Sequence, residues 1–263
     1  MSAARSDVAA GPRRDCVMAV TSGSGGVGKT FFTANLAAAL VRRGERVLVL
    51  DADLGLANLD VVLGLARAGT LNEVFTGAAG LEETVVPAPG GFSVLRAGTG
   101  LIEGSRLSPA VRTRLVGVIE TLAPRYDRIL LHTGAGTSDL VQHAVSLAGE
   151  VLVVVAVEPN SMTATYAAIK MLARQQQRTL LRLVVNQTGQ PGEGRAISRQ
   201  LQRVVDRFVS TPAGAPVVLD LLGEVPADPA VRDSMRRRRL LLEAFPDAPA
   251  ARAGCAIAQR LVP

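Results

Sequence analysis

The chain has 263 residues, 48% of them hydrophobic but only 3% aromatic, with no tryptophan, and its 29 basic against 23 acidic side chains give a formal charge of +6. One well-filled globular core is expected, built from Val, Leu, Ile and Ala as in a buried parallel sheet under helices. The positions of Cys16 and Cys255 exclude a C-x-x-C zinc site or a disulfide framework, and the lack of an apolar leader or an 18-residue apolar run excludes a secretory signal and a spanning helix. A soluble protein of the reducing cytoplasm is expected.

Residues 1 to 15 lack periodicity and read as a flexible arm, with a single domain over 16–263. The apolar run "CVMAV" (16–20) predicts a strand, and "TSGSGGVGKT" (21–30) follows it. This matches the phosphate-binding pattern G-x-x-x-x-G-K-[ST] at Gly23, Gly28, Lys29 and Thr30. Only Lys29 and Lys170 are lysines, so a lysine at the one P-loop position that demands it is poorly explained by chance. "FFTANLAAALVRRG" then has helical periodicity and stops at Gly44. Backbone N–H groups kept accessible by glycine wrap a phosphate at such a helix start. Ser24, Gly25, Gly26, Val27, Gly28, Lys29, Thr30 and Phe31 are therefore the expected nucleotide-binding stretch, with the Thr30 hydroxyl on Mg²⁺. A glycine-rich turn without a ligand is the alternative.

"RVLVLDAD" (46–53) predicts a second strand ending in Asp51 and Asp53, well placed for magnesium and its waters; a turn or helix cap is the other reading of Asp53. A short helix around "TLNEVFTG", a strand at 91–98, a helix at 106–123 and a strand at 127–132 follow. Next come a helix at "SDLVQHAVSLA", which places His143 on a helix, and "EVLVVVAV" (150–157), a strand buried on both faces. Beyond it are helix "NSMTATYAAIKMLARQQQ", strand 180–187, helix "GRAISRQLQRVVDRFVS" and strand 217–226. Two tail helices are expected, at 229–244 and 248–261. The alternation predicts an α/β fold with a doubly wound, mostly parallel sheet and helices on both faces, binding its ligand beyond the carboxyl ends of the strands.

The segments "SGSGGVGKT", "VLDADLGLANLDVVLGL", "ILLHTGAG", "VVVAVEPNSMTATYAAIK" and "LGEVPADPAVRDSMRRRRLLLEAFPDAPAARA" resemble the MinD/ParA class of P-loop ATPases, and within it the flagellar-number regulators FlhG/FleN. The resemblance spans roughly residues 16 to 258. It implies ATP or ADP with Mg²⁺ as ligands, Asp53 orienting the hydrolytic water, and Asp51 meeting magnesium through water. It further implies Asn186 as adenine reader, Pro226 and Asp228 lining the base pocket, and Asn58 and Asp60 on a switch surface facing a second subunit. Slow ATP hydrolysis, a nucleotide-dependent homodimer and a flagellar transcription activator or flagellar GTPase as partner follow from it, as does a peripheral place at the inner membrane or cell pole.

Two positions depart from that class. Where it carries a signature lysine that reaches the partner's phosphates, this chain has Ser24, which is neutral and shorter. Removing such a donor costs roughly 3 kcal/mol of transition-state stabilisation. Where the class ends a strand with aspartate, this chain has His132, and a neutral imidazole offers no anion to a hard cation. His132 reads as a satisfied strand-end residue, a remodelled phosphate or water contact, or a transition-metal ligand without visible partners. Together the changes predict nucleotide binding with weakened hydrolysis.

Arg236 to Arg239 read as a solvated helix face or as a contact for DNA phosphate or lipid head groups. Rival functions are therefore a partition ATPase on nonspecific DNA and a pseudo-ATPase scaffold. A cluster-bearing reductase is excluded by the positions of Cys16 and Cys255. The last helix, with Ala251, Cys255, Ala258 and Leu261 on one side, is expected to pack on the domain and lacks the basic face and large apolar residues of a membrane-lying helix.

Overall fold

The computed structural model describes residues 14–53, 59–65, 69–96, 98 and 108–262. Most of the expected arm, together with Asn58 and the side chain of Asp60, lies outside them. Arg14–Cys16 already form a 3-10 turn, so regular structure starts two residues before the expected boundary.

The strands are β1 (Val17–Ser22), β2 (Val47–Ala52), β3 (Val86–Pro87), β4 (Ser93–Arg96), β5 (Arg128–Ala135), β6 (Glu150–Ala156), β7 (Leu180–Thr188) and β8 (Val218–Pro226). They form one sheet in the order β3-β4-β2-β5-β1-β6-β7-β8. All neighbours are parallel except β3, which runs antiparallel to β4. The helices are α1 (Lys29–Val41), α2 (Leu59–Leu63), α3 (Leu71–Thr76), α4 (Leu81–Thr84), α5 (Pro109–Leu122), α6 (Asp139–Ser146), α7 (Pro159–Gln176), α8 (Glu193–Phe208), α9 (Pro229–Arg236), α10 (Leu241–Ala244) and α11 (Pro249–Leu261). No helix among the described residues is long and apolar enough to cross a membrane.

Period-two alternation divides the core between the two faces of the sheet. Val17, Ala19, Leu48, Leu50, Ile129 and Leu131 belong to one apolar cluster, which includes residues of α5 to α8. Met18, Val20, Val47, Val49 and Leu130 belong to the other, with α1, α10 and α11. Carried to the strand ends, the same alternation turns Asp51 and His132 toward α1. They are direct partners in the β2–β5 ladder. The sequence order reverses on either side of β1, so the crevice beyond its carboxyl end is the binding position for an open sheet.

Three details depart from the expectations. The two-residue strand β3 and the one-turn helices α2 and α4 are too short for a periodic signal. Strand β5 continues three residues beyond 132, through Ala135. The expected helix at 229–244 is broken after α9, with Arg238 at φ 49. Leu240, Leu241 and Leu242 are all at most 2% exposed, and three consecutive side chains cannot share one helix face. Reorienting the chain buries them all, at about 2 kcal/mol per leucine, and the left-handed residue is the cost. The last helix, α11, packs on α1 and β8, burying Ala250, Ala251, Gly254, Ile257, Ala258 and Leu261, with Cys255 half-buried.

Candidate functional site

The loop between β1 and α1 owes its shape to three glycines. A Cβ on Gly23 would lie 2.2 Å from the carbonyl carbon of Ala164 in α7, so only glycine fits. Gly26 and Gly28 have φ 79 and 82, in the left-handed region. Gly28 begins α1 without a side-chain cap. By contrast Ser108 and Ser138 cap α5 and α6, and Glu224 accepts from the Gly192 and Gly194 N–H groups at the start of α8. The first N–H groups of α1 have no partner within the helix, and they open on a pocket. This glycine cradle fits a phosphate.

Ser24 through Phe31, Asp53, Asn186, Pro226 and Asp228 all line that pocket, together with Ala250, Ala251 and Gly254 of α11. Thus residues separated by more than 200 positions meet at one end of the sheet. The Asn186 amide Nδ2 donates to the Val27 carbonyl at 2.7 Å, and Gln187 Nε2 to the Gly26 carbonyl at 3.4 Å. A register irregularity in β7 between Asn186 and Thr188, with Gln187 at φ 62, turns both side chains toward the loop. Asp228 accepts from Ala230 N at 2.9 Å and Ala250 N at 3.1 Å, so it holds the first turns of α9 and α11. Arg236 also reaches the pocket wall and pairs loosely with Asp233 at 3.7 Å.

Beneath the loop the polar groups are buried. Lys29 is 8% exposed and donates from Nζ to the Thr133 carbonyl at 2.5 Å. Burial pushes its ammonium below the ordinary value, while Asp53 and then Asp51 pull it back. Asp51 is 2% exposed and accepts from the Asp53 N–H at 3.1 Å. Gly134 leaves room for Asp53, whose Oδ1 would be 3.3 Å from a Cβ there. His132, 1% exposed, lies with Nε2 3.1 Å from Thr30 Oγ1 and Nδ1 3.4 Å from Thr33 Oγ1. Its pKa falls to about 3, first through burial and then through repulsion from Lys29, so the ring is neutral.

The oxygens of Thr30, Asp51 and Asp53 suit a hard cation such as Mg²⁺, and the imidazole does not. Among the described residues no cluster of three or more His, Cys, Asp or Glu forms a transition-metal site. The sequence reading missed Thr33, the Thr133 carbonyl and Gln187. Thr33 was within reach of helical spacing, since it follows Thr30 by three residues and Lys29 by four; the other two depend on strand register.

A model of the CobQ/CobB/MinD/ParA nucleotide binding domain matches residues 18–241. The antiactivator FleN of Pseudomonas aeruginosa is 40% identical over 245 residues, covering 93% of this chain and 85% of the relative. The flagellum site-determining protein YlxH of Helicobacter pylori is 31% identical over 230 residues, 88% of this chain and 76% of the relative. Among solved structures, the septum site-determining protein MinD of Pyrococcus horikoshii, complexed with Mg-ADP, superposes with a TM-score of 0.73 at 26% identity, over 94% of this chain and 95% of the other.

Proposed function

Because the chain belongs to the CobQ/CobB/MinD/ParA nucleotide-binding family, we propose that it is an ATP- or ADP-binding switch that regulates flagellar number, placement or gene expression. The observation that carries this reading is the uncapped start of α1 at the glycine loop, beside buried Lys29, in a chain alike to FleN over 93% of its length. FleN is an antiactivator and YlxH a flagellum site-determining protein. The expected partner is therefore a transcription activator of flagellar genes or a protein that places the flagellum.

The Gly25–Lys29 backbone and the Lys29 ammonium would hold the phosphates, with Asn186, Pro226 and Asp228 on the base side. Thr30 would ligate magnesium directly and Asp51 through water, and Asp53 would orient a water. Bound magnesium would neutralise charge on the terminal phosphates. A nucleotide-dependent homodimer belongs to this reading, and at its interface Ser24 has no cation to extend to the partner. With His132 supplying no anion, hydrolysis is expected to be weak.

The tests are direct. Lys29→Ala is expected to weaken MgADP binding at least tenfold in calorimetry, and an unchanged Kd would contradict the phosphate role. Steady-state ATP hydrolysis should rise in the Ser24→Lys, His132→Asp double variant; a wild type that already turns over as fast would refute weakened catalysis. Deleting the gene should change flagella per cell, counted by electron microscopy, and normal counts would oppose the flagellar role.

A further inference from the structure

Three hydrogen bonds around His132 decide which of its ring nitrogens carries the proton. Thr33 Oγ1 is 2.9 Å from the Lys29 carbonyl, and a carbonyl only accepts, so the Thr33 proton is committed there. The contact of Thr33 Oγ1 with His132 Nδ1 then requires the proton to be on Nδ1. In a neutral ring that leaves a lone pair on Nε2, and Nε2 faces Thr30 Oγ1 at 3.1 Å. The Thr30 proton therefore points at the imidazole, and the lone pairs of its oxygen are turned away from the ring. Thr30 is among the residues that line the pocket.

We propose that His132 is a positioning residue: held in its Nδ1–H tautomer by Thr33, it accepts a hydrogen bond from the Thr30 hydroxyl at Nε2 and so presents Thr30 Oγ1 to the pocket as an oxygen ligand for a hard divalent cation. The metal half of this assignment rests on the nucleotide reading above; the tautomer half does not. Without the imidazole, the Thr30 hydroxyl could swing its proton toward the cation, an orientation that opposes metal binding. The ring therefore supports the metal through another residue's orientation and contributes no charge. Partners of this kind commonly change metal affinity 10- to 100-fold.

The chain has two histidines, so a uniformly ¹⁵N-labelled sample gives two imidazole patterns in long-range ¹H–¹⁵N correlation spectra, with His143→Gln assigning them. At pH 7 without nucleotide, His132 is expected in the Nδ1–H form. Thr33→Val keeps the branched shape but removes the acceptor, and should shift the ring toward Nε2–H. An Nε2–H ring in the wild type, or a tautomer unmoved by Thr33→Val, overturns the proposal. In the second arm, ADP dissociation constants are measured with EDTA and with MgCl₂ for the wild type, His132→Ala and Thr33→Val. The magnesium-dependent gain in affinity is expected to fall about tenfold in His132→Ala and by a smaller factor in Thr33→Val, while the EDTA values change less than twofold. A magnesium gain equal to wild type in both variants, beside an Nδ1–H ring, overturns the metal role alone. A wild type that binds ADP in neither condition overturns the nucleotide reading and the metal role with it.

Discussion

His132 is neutral because burial strips its cation of water and Lys29 repels the charge. This makes the native protein sensitive to acid in a defined direction. An unfolded chain takes up a proton on imidazole near pH 6.5 and the native protein near pH 3, so the stabilisation is fully present above pH 6.5 and drains away as pH falls toward 3. Between pH 6 and 4 the wild type is expected to lose about 1.4 kcal/mol per pH unit more than His132→Gln in urea titrations; parallel slopes would show that the ring titrates normally. The sequence made this residue conspicuous, because an imidazole stands where the resembling class carries an aspartate. Its partners were hidden, since Thr33 and Thr30 meet the ring only once α1 lies over the β2–β5 pair.

One side chain at the pocket ties two elements together. Asp228 accepts from the first turns of both α9 and α11, so Asp228→Ala should lower unfolding free energy by about 2 kcal/mol, near the sum of two lost caps. Chemical denaturation checks this, and a loss under about 0.5 kcal/mol would mean that water replaces both bonds. The glycines of the loop separate in the same measurement. Gly23→Ala places a methyl group within 2.2 Å of the α7 backbone and should cost at least about 2 kcal/mol. Gly25 has open space around it, so Gly25→Ala should stay within about 0.5 kcal/mol of the wild type. At this scale the long elements were legible from period and stop signals. The kink at Arg238 was not, because the burial of Leu240 to Leu242 against α1 is a tertiary demand that overrides helical propensity.

Across the whole molecule, the reversal of strand order around β1 gathers the P-loop, the ends of β2, β5 and β7, and the tail into one pocket. If the pocket takes nucleotide, MgADP at about 100 times its Kd should stabilise the fold by about 2.7 kcal/mol, and an unshifted denaturation midpoint would refute the binding reading. The doubly wound sheet was legible as strands alternating with helices, whereas the sheet order was not, because it is set by which crossovers skip a neighbour. Helix α11 spans this architecture: Asp228 holds its first turn beside the pocket, while Arg128, at the opposite end of β5, donates to the Leu261 carbonyl at 3.0 Å. It also supplies Ala250, Ala251 and Gly254 to the pocket wall. On the ribosome this imposes a delay, because the glycine loop emerges early but its wall only after α11. At ~5–20 residues per second the α11 part of the wall is synthesised roughly 10–45 s after the loop, so the nascent chain carries an unfinished pocket for at least that time.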